Sequence, residues 1–299
     1  MPTKAKVVPR DYYDVTPALG HAAGDIWSGL PAYELLGGVT FTGIVITPAC
    51  DLANRKVETI SYLPVIPIKR YFATPAFLPD LLRRVRGQLI AAGIDHQLES
   101  PAPFVWPSLA EVDDLIAKTK ARLSNADVKT LAAAERAEAG LSLLRAASQD
   151  SCCVPPPGVM ACLLGDKEWA STLSSIVRNS FSPDIHFLPS DQQPVDWSGI
   201  PEPSVALFRY PLAAPIQVLD AAQDVAQADW PAVIGSLARA IPSARHLLKQ
   251  RPLKHATLIP RYFADLLTRY IGMHVRLGSP DFSGDTVAAF VSELQKRLQ

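Results

Sequence analysis

The stretch GGVTFTGIVITPACDLANRK (residues 37–56) decides how this chain is read. From Val39 to Thr47 it is rich in Val, Ile, Thr and Phe, the composition of a β-strand. The end of that strand, GIVIT, is apolar on both faces, so the strand is expected to be central in its sheet. It runs out at Cys50 and Asp51. The carboxyl end of a buried strand is where backbone groups and side chains converge on ligands. A nucleophilic cysteine, however, needs a base and a nearby positive charge. Asp51 supplies the opposite charge, and His21, His96, His186, His246, His255 and His274 lie in no recognisable catalytic context. The favoured reading makes Cys50 a small buried residue. Asp51 then fixes the strand's exit by an Asx turn, or opens the first turn of a short helix in DLAN. Cys50, Asp51 and His186 are the catalytic candidates if the chain is an enzyme. Asp25, Asp51 and His186 are the candidate ligand-binding residues, His186 because it alternates with Ile185 and Phe187 beside Asp184.

Outward from this strand, VETISYLPVIPI (57–68) reads as its neighbour, with Pro64 and Pro67 demoting the far end to an edge or bulge. LPDLLRRVRGQLIAAG reads as a helix with Pro79 in its first turn, a stripe of Leu78, Leu81, Leu82, Val85 and Leu89, and Gly93 at its end. Ser108 and Glu111 form a capping box, and Ser124 with Asp127 repeats the device. A helical hairpin therefore spans residues 108–148. Its second helix carries a thin stripe, Val128, Leu131, Leu141 and Leu144, on an otherwise polar surface. It lies shallowly on its own domain, or it is an arm that meets a protein partner through that stripe.

After SCCVPPPG, VMACLL reads as a buried strand, and DKEWASTLSSIVRNSF as a helix with Trp169, Leu173, Ile176 and Val177 inward. DIHFLP, SVALFRY and PIQVL read as short strands between Pro-rich turns. Residues 228–299 read as mainly helical, with His274 as a hydrogen-bonded core residue and Ser283 capping a last helix lined by Val287, Phe290, Val291, Leu294 and Leu298.

The 29 basic and 29 acidic side chains balance, so no global field draws the chain to nucleic acid or an anionic membrane. No apolar run approaches the roughly 20 residues needed to span a bilayer, and the first residues lack the apolar core of a signal peptide. A cytoplasmic protein is expected. Cys50, Cys152, Cys153 and Cys162 lack the spacing of a structural zinc site and read as buried free thiols. There is no phosphate-binding glycine motif, no H-E-x-x-H and no G-x-S-x-G elbow. Neither a cofactor nor a metal is expected. The basic run RRVR (83–86) reads as a solvated helix face without interleaved aromatics, so nucleic acid is not an expected partner.

Two resemblances bear on these residues. GDIWSGL followed by GIVITPACD resembles the opening of the SH3-like barrels of the PemK/MazF toxin type. That resemblance implies a compact barrel and mRNA cleavage. Thr42 and Gly43 stand where the family has Arg-Pro before its second strand. More of the chain is similar to a loose group of uncharacterised bacterial proteins with a GDI strand, a GIVIT-x-x-CDLA element, an HFLP strand and a terminal RLGSPDF. Here the pieces are Gly24 to Ile26, Gly43 to Ala53, His186 to Pro189, and Pro260 to Phe282. This second resemblance implies no chemistry, and suggests only an association with bacterial defence or stress loci.

The sequence thus points to a single α+β (mixed) domain over 1–299. It holds a central mixed sheet or SH3-like partial barrel, a helical insert at 76–150 and a helical C-terminal third. The expected function is a non-enzymatic binding or regulatory protein, a sensor or adaptor with a protein partner, and its oligomeric state is open. One alternative is an SH3-like nuclease working through Asp25, Asp51 and nearby arginines. Another is a small-ligand sensor with a pocket beside Asp51 and His186.

Overall fold

A computed structural model of the chain describes residues 9–16, 18–33, 36, 40–98, 106–124, 128–150, 152–190, 197–224, 226, 229–240, 250–275, 283, 285 and 288. Strands β1 (Tyr13–Asp14), β2 (Asp25–Pro31), β3 (Thr40–Val45), β4 (Thr59–Pro67), β5 (Ile185–Leu188), β6 (Ser204–Leu207), β7 (Leu212–Pro215) and β8 (Leu253–Leu258) form one sheet. Its order is β1-β8-β2-β3-β4-β6-β5, with β7 also pairing β4. Every pairing among the described residues is antiparallel, and the sheet curls into a half-barrel. With its helices this is an α+β fold.

As the GIVIT pattern requires, β3 is central, between β2 and β4. Consecutive residues alternate between two cores: Ile26, Ile44 and Leu63 face one side, Trp27, Val45 and Tyr62 the other. Gly43 is held to glycine by packing, since a Cβ there would stand 2.8 Å from both Leu30 Cδ1 and Tyr62 Cδ2. Pro64 does not make β4 an edge. The Ile46 N–H donates to Ser61 O, so the odd-numbered residues of β4 turn their amides to β3. The nitrogen of Pro64 then faces the other way, into the gap where pairing passes from β7 at Tyr62 to β6 at Val65. No hydrogen bond is forfeited there.

The helices are α1 (Ala49–Ala53), α2 (Ile68–Tyr71), α3 (Leu78–Ala91), α4 (Leu109–Ser124), α5 (Val128–Gln149), α6 (Val159–Leu164), α7 (Asp166–Val177), α8 (Ile216–Asp224), α9 (Trp230–Ala240) and α10 (Pro260–His274). Helix α10 covers one sheet face through Leu266, with Phe263 and Tyr270 beside it. Helices α8 and α9 cover the opposite face through Val218, Leu219, Trp230 and Ile234. The insert α3–α7 packs on that same face at the β5–β6 end, against Ile66, Val205 and Leu207.

Several local expectations are corrected. VMACLL is helix α6, not a strand; Gly158 and Gly165, both at positive φ, bracket it. PIQVL opens α8, and the strand sits earlier, at Leu212–Pro215. The C-terminal third is not only helical, because β8 comes from it and inserts between β1 and β2. Val177 is exposed, and His274 is exposed with Nδ1 at 2.8 Å from Tyr270 O, so it is not a core histidine. Helix α5 is the centre of the helical layer. Ala134, Ala137, Gly140, Leu141, Leu143, Leu144 and Ala147 are buried against α3, α4 and α6, and burial by small residues on more than one side leaves no single apolar stripe. The capping box is present: Ser108 Oγ and backbone N–H both meet Glu111 Oε2, at 2.6 and 3.0 Å. Ser124 instead ends α4, its hydroxyl donating to Lys120 O, while Asp127 lies outside the described residues, as do RLGSPDF and most of the last helix.

Candidate functional site

An open cleft of about 860 Å³ lies on the α8 side of the sheet, lined by Leu19, Gly20, His21, Leu52, Ala53, Arg55, Val57, Glu58, Ile216, Gln217, Asp220, Gln223 and Asp224. Three pieces of backbone converge on it. Helix α1 contributes Leu52 and Ala53 as the chain leaves β3, and the turn after it delivers Val57 and Glu58 to the start of β4. Helix α8 begins directly after β7, and the Ile216 N–H donates to Glu58 O at 3.0 Å, tying its first turn to that entry. On α8, Gln217, Asp220 and Asp224 recur at helical spacing towards the cleft, while Val218, Leu219 and Ala222 go to the core.

The third piece, residues 18–21, has no regular structure of its own and is held from below. Lys254 on β8 donates to Ala18 O at 2.9 Å, Gly20 O at 2.8 Å and Asp25 Oδ2 at 2.8 Å, which uses all three of its N–H groups. Asp25 is fully buried, and its oxygens also accept from Ala22 N at 2.7 Å and Thr257 Oγ1 at 2.7 Å. A buried ion pair satisfied this completely is a structural clamp. Asp25, a candidate ligand residue in the sequence, is enclosed in this clamp and holds the lysine that holds the cleft wall.

The clamp sets His21 against Asp220, Nε2 to Oδ1 at 2.8 Å, with the histidine side chain only 10% exposed. A carboxylate oxygen only accepts, so Nε2 carries the proton, and in the neutral ring Nδ1 is a lone-pair acceptor. That Nδ1 is buried and has no hydrogen-bond partner among the described residues. Nearby, Arg55 closes the turn after α1 in a left-handed conformation (φ 48°), a position glycine usually fills, and its N–H donates to Leu52 O at 3.2 Å. Such a residue costs about 1 kcal/mol of backbone strain and often marks a functional turn.

The residues singled out in the sequence are not gathered here. Asp51 sits in the first turn of α1, beside the cleft but not among its lining residues. Cys50 is exposed rather than buried, and its thiol meets Asp51 Oδ1 at 3.7 Å, not an imidazole. Cys162 is also exposed and Cys153 half-buried, so only Cys152 fits the expectation of buried thiols; burial raises its pKa to about 12. His186 is 2% exposed on the opposite face of the sheet, over Phe208, and is not among the residues that line this cleft. Of the helical stripe, Leu141 and Leu144 are fully buried in the chain's own core, Leu131 is 38% exposed, and the side chain of Val128 lies outside the described residues. Among the described residues no cluster of His, Cys, Asp or Glu can hold a metal ion, and no helix is long and apolar enough to cross a membrane.

In the sequence His21 is one histidine among six, Lys254 falls in a segment that reads as helix, and Asp220 comes directly after one that reads as strand. The signal that could have found the acid is the spacing of Gln217, Asp220 and Asp224, which shares a face only if the segment is helical. Comparison of the chain with protein-family models, curated proteins and solved structures finds no match.

Proposed function

We propose that the chain is a small-molecule-binding regulatory protein of the cytoplasm whose ligand occupies the cleft between α1, the 18–21 segment and α8. The observation that carries this reading is the His21–Asp220 pair. A nine-tenths buried imidazole, oriented by a carboxylate, stands in the wall of a cleft of about 860 Å³. Natural ligand sites have this size, an apolar floor and a few placed polar groups. Leu52, Val57 and Ile216 supply the floor, and Gln217, Gln223 and Arg55 supply polar arms. The exposed free thiols of Cys50 and Cys162 suit a reducing compartment. A sensor fits better than the adaptor read from the sequence, because Leu141 and Leu144 are already consumed by the core. It fits better than the nuclease, because Asp25 is buried in its clamp.

The test is a thermal-shift screen of the full chain against a library of polar metabolites, run in parallel with Gln217→Trp, which fills the cleft from an exposed position. A ligand at about 100 times its Kd adds about 2.7 kcal/mol of stability, so at least one compound raises the wild-type Tm by several degrees and leaves the variant unmoved. Equal shifts in both proteins, or none in either, overturn the reading.

A further inference from the structure

We infer that the chain carries a second site, chemically active and separate from the cleft: Ser28 is a nucleophile activated by His255, and it accepts the acyl group of small apolar carboxylic esters. Ser28 Oγ and His255 Nε2 stand 2.8 Å apart, the reach at which an imidazole takes a hydroxyl proton. A Cβ on Gly199 would stand 3.1 Å from both His255 Cδ2 and Ile26 Cγ2. The imidazole therefore lies on the Ile26 side of the sheet, away from the Trp27 side on which the cleft opens.

Two irregularities of the sheet bring the pair together. Against β8, Ile26 pairs with Ala256 and Trp27 with Lys254, which leaves His255 as the extra residue of a bulge. Against β3, Trp27 pairs with Gly43 and Leu30 with Phe41, which leaves Ser28 and Gly29 opposite Thr42 alone. Regular pairing needs neither the histidine nor the serine, and a bulge is a device that re-aims a side chain. Gly29, at φ 71°, takes the backbone turn of the second bulge. Gly199, at φ 77°, lays its backbone against the imidazole, since a Cβ there would also meet His255 Cγ at 3.2 Å. Ser28 and His255 are both half-buried, so the hydroxyl is reachable. Leu253 lies directly opposite Ser28 and is 52% exposed, an apolar contact for an acyl chain beside the nucleophile. With its proton on Nδ1, His255 takes the Ser28 hydroxyl proton as Oγ bonds to the ester carbonyl carbon. The imidazolium returns that proton to the leaving alkoxide as the C–O bond breaks, giving an alcohol and acyl-Ser28. Water, deprotonated by the same nitrogen, then releases the carboxylic acid and restores the hydroxyl.

The experiment treats the full chain with a fluorophosphonate, which leaves unactivated serines unmodified, and locates the adduct by tandem mass spectrometry. Turnover of p-nitrophenyl acetate is read in parallel. The adduct is expected on Ser28 in the folded chain and not in the urea-unfolded one. Release of p-nitrophenol starts with a burst, and its rate falls on acidification as the imidazole takes up a proton. Ser28→Ala abolishes adduct and burst. His255→Gln, whose amide still bonds a hydroxyl but is no base, slows acylation about 100-fold. No adduct on Ser28, an adduct that persists there in the unfolded chain, or turnover unchanged in Ser28→Ala overturns the inference. The wild-type adduct decides the matter even where a variant fails to fold. The metabolite screen does not involve this face of the sheet, so failure of the serine and failure of the cleft are read separately.

Discussion

Asp25 Oδ2 and Lys254 Nζ stand 2.8 Å apart with both side chains buried, and the same ammonium carries the backbone of Ala18 and Gly20 next to His21. Strands β2 and β8, far apart in the chain, are thus joined at the point from which the cleft wall is hung. Lys254→Met leaves a carboxylate buried without its cation, and the loss expected is about 3–5 kcal/mol, measured by urea unfolding. Asp25→Asn added to Lys254→Met removes the stranded charge, so the double variant is more stable than Lys254→Met alone.

His186 gives the protein a pH dependence of definite sign. Burial lowers its pKa from 6.5 to about 4, with Arg269 lowering it further and Asp265 opposing. The unfolded chain therefore binds this proton more readily than the folded one. Stability is full above the ordinary value and falls as pH drops from 6.5 towards 4, by about 3 kcal/mol from this group. His186→Gln, compared with the wild type by urea unfolding at pH 7 and pH 4.5, flattens that part of the slope.

Two glycines of the helical layer behave oppositely. At Gly140 on α5 a Cβ would meet Val85 Cγ2 at 2.5 Å and Leu163 Cδ1 at 3.0 Å, so α3, α5 and α6 approach through the missing side chain. Gly140→Ala costs about 1–3 kcal/mol by overpacking, and Val85→Ala in the same chain recovers part of it. Gly87 on α3 has open space around its Cβ position, so Gly87→Ala gains about 1 kcal/mol of helix propensity. Thermal melts of the variants read both signs.

The four thiols separate by exposure. Under native conditions Ellman's reagent is expected to modify Cys50 and Cys162 first, then Cys153, while Cys152 reacts only on unfolding. Cys50→Ser removes one of the fast equivalents, read from the amplitude of the fast phase.

What the sequence made legible was whatever depends on neighbours in the chain. The central strand, its β4 partner, the α3 stripe and the Ser108–Glu111 cap are all set by spacing within a dozen residues. Pairings across the chain were not legible. β8 is six residues placed between β1 and β2, and its KHATL pattern is too short to stand out from helical surroundings. With β8 unread, Lys254 was invisible, and Asp25 looked like a free carboxylate at a strand start. Helix α5 misled for a different reason, since its contacts are made by Ala and Gly, whose burial leaves no mark on a hydrophobic pattern. The cleft itself is joined by His21 and Asp220, 199 residues apart. No local pattern encodes that meeting.

The account stands most directly on where a ligand lands. Methyl-resolved NMR of the Leu-, Val- and Ile-labelled chain, titrated with the compound that gives the largest thermal shift, reads this in one experiment. The result expected is movement of the Leu52, Val57 and Ile216 methyls with Leu141 and Leu144 unmoved. Movement confined to the α5 methyls, or to no methyl of the cleft, contradicts it.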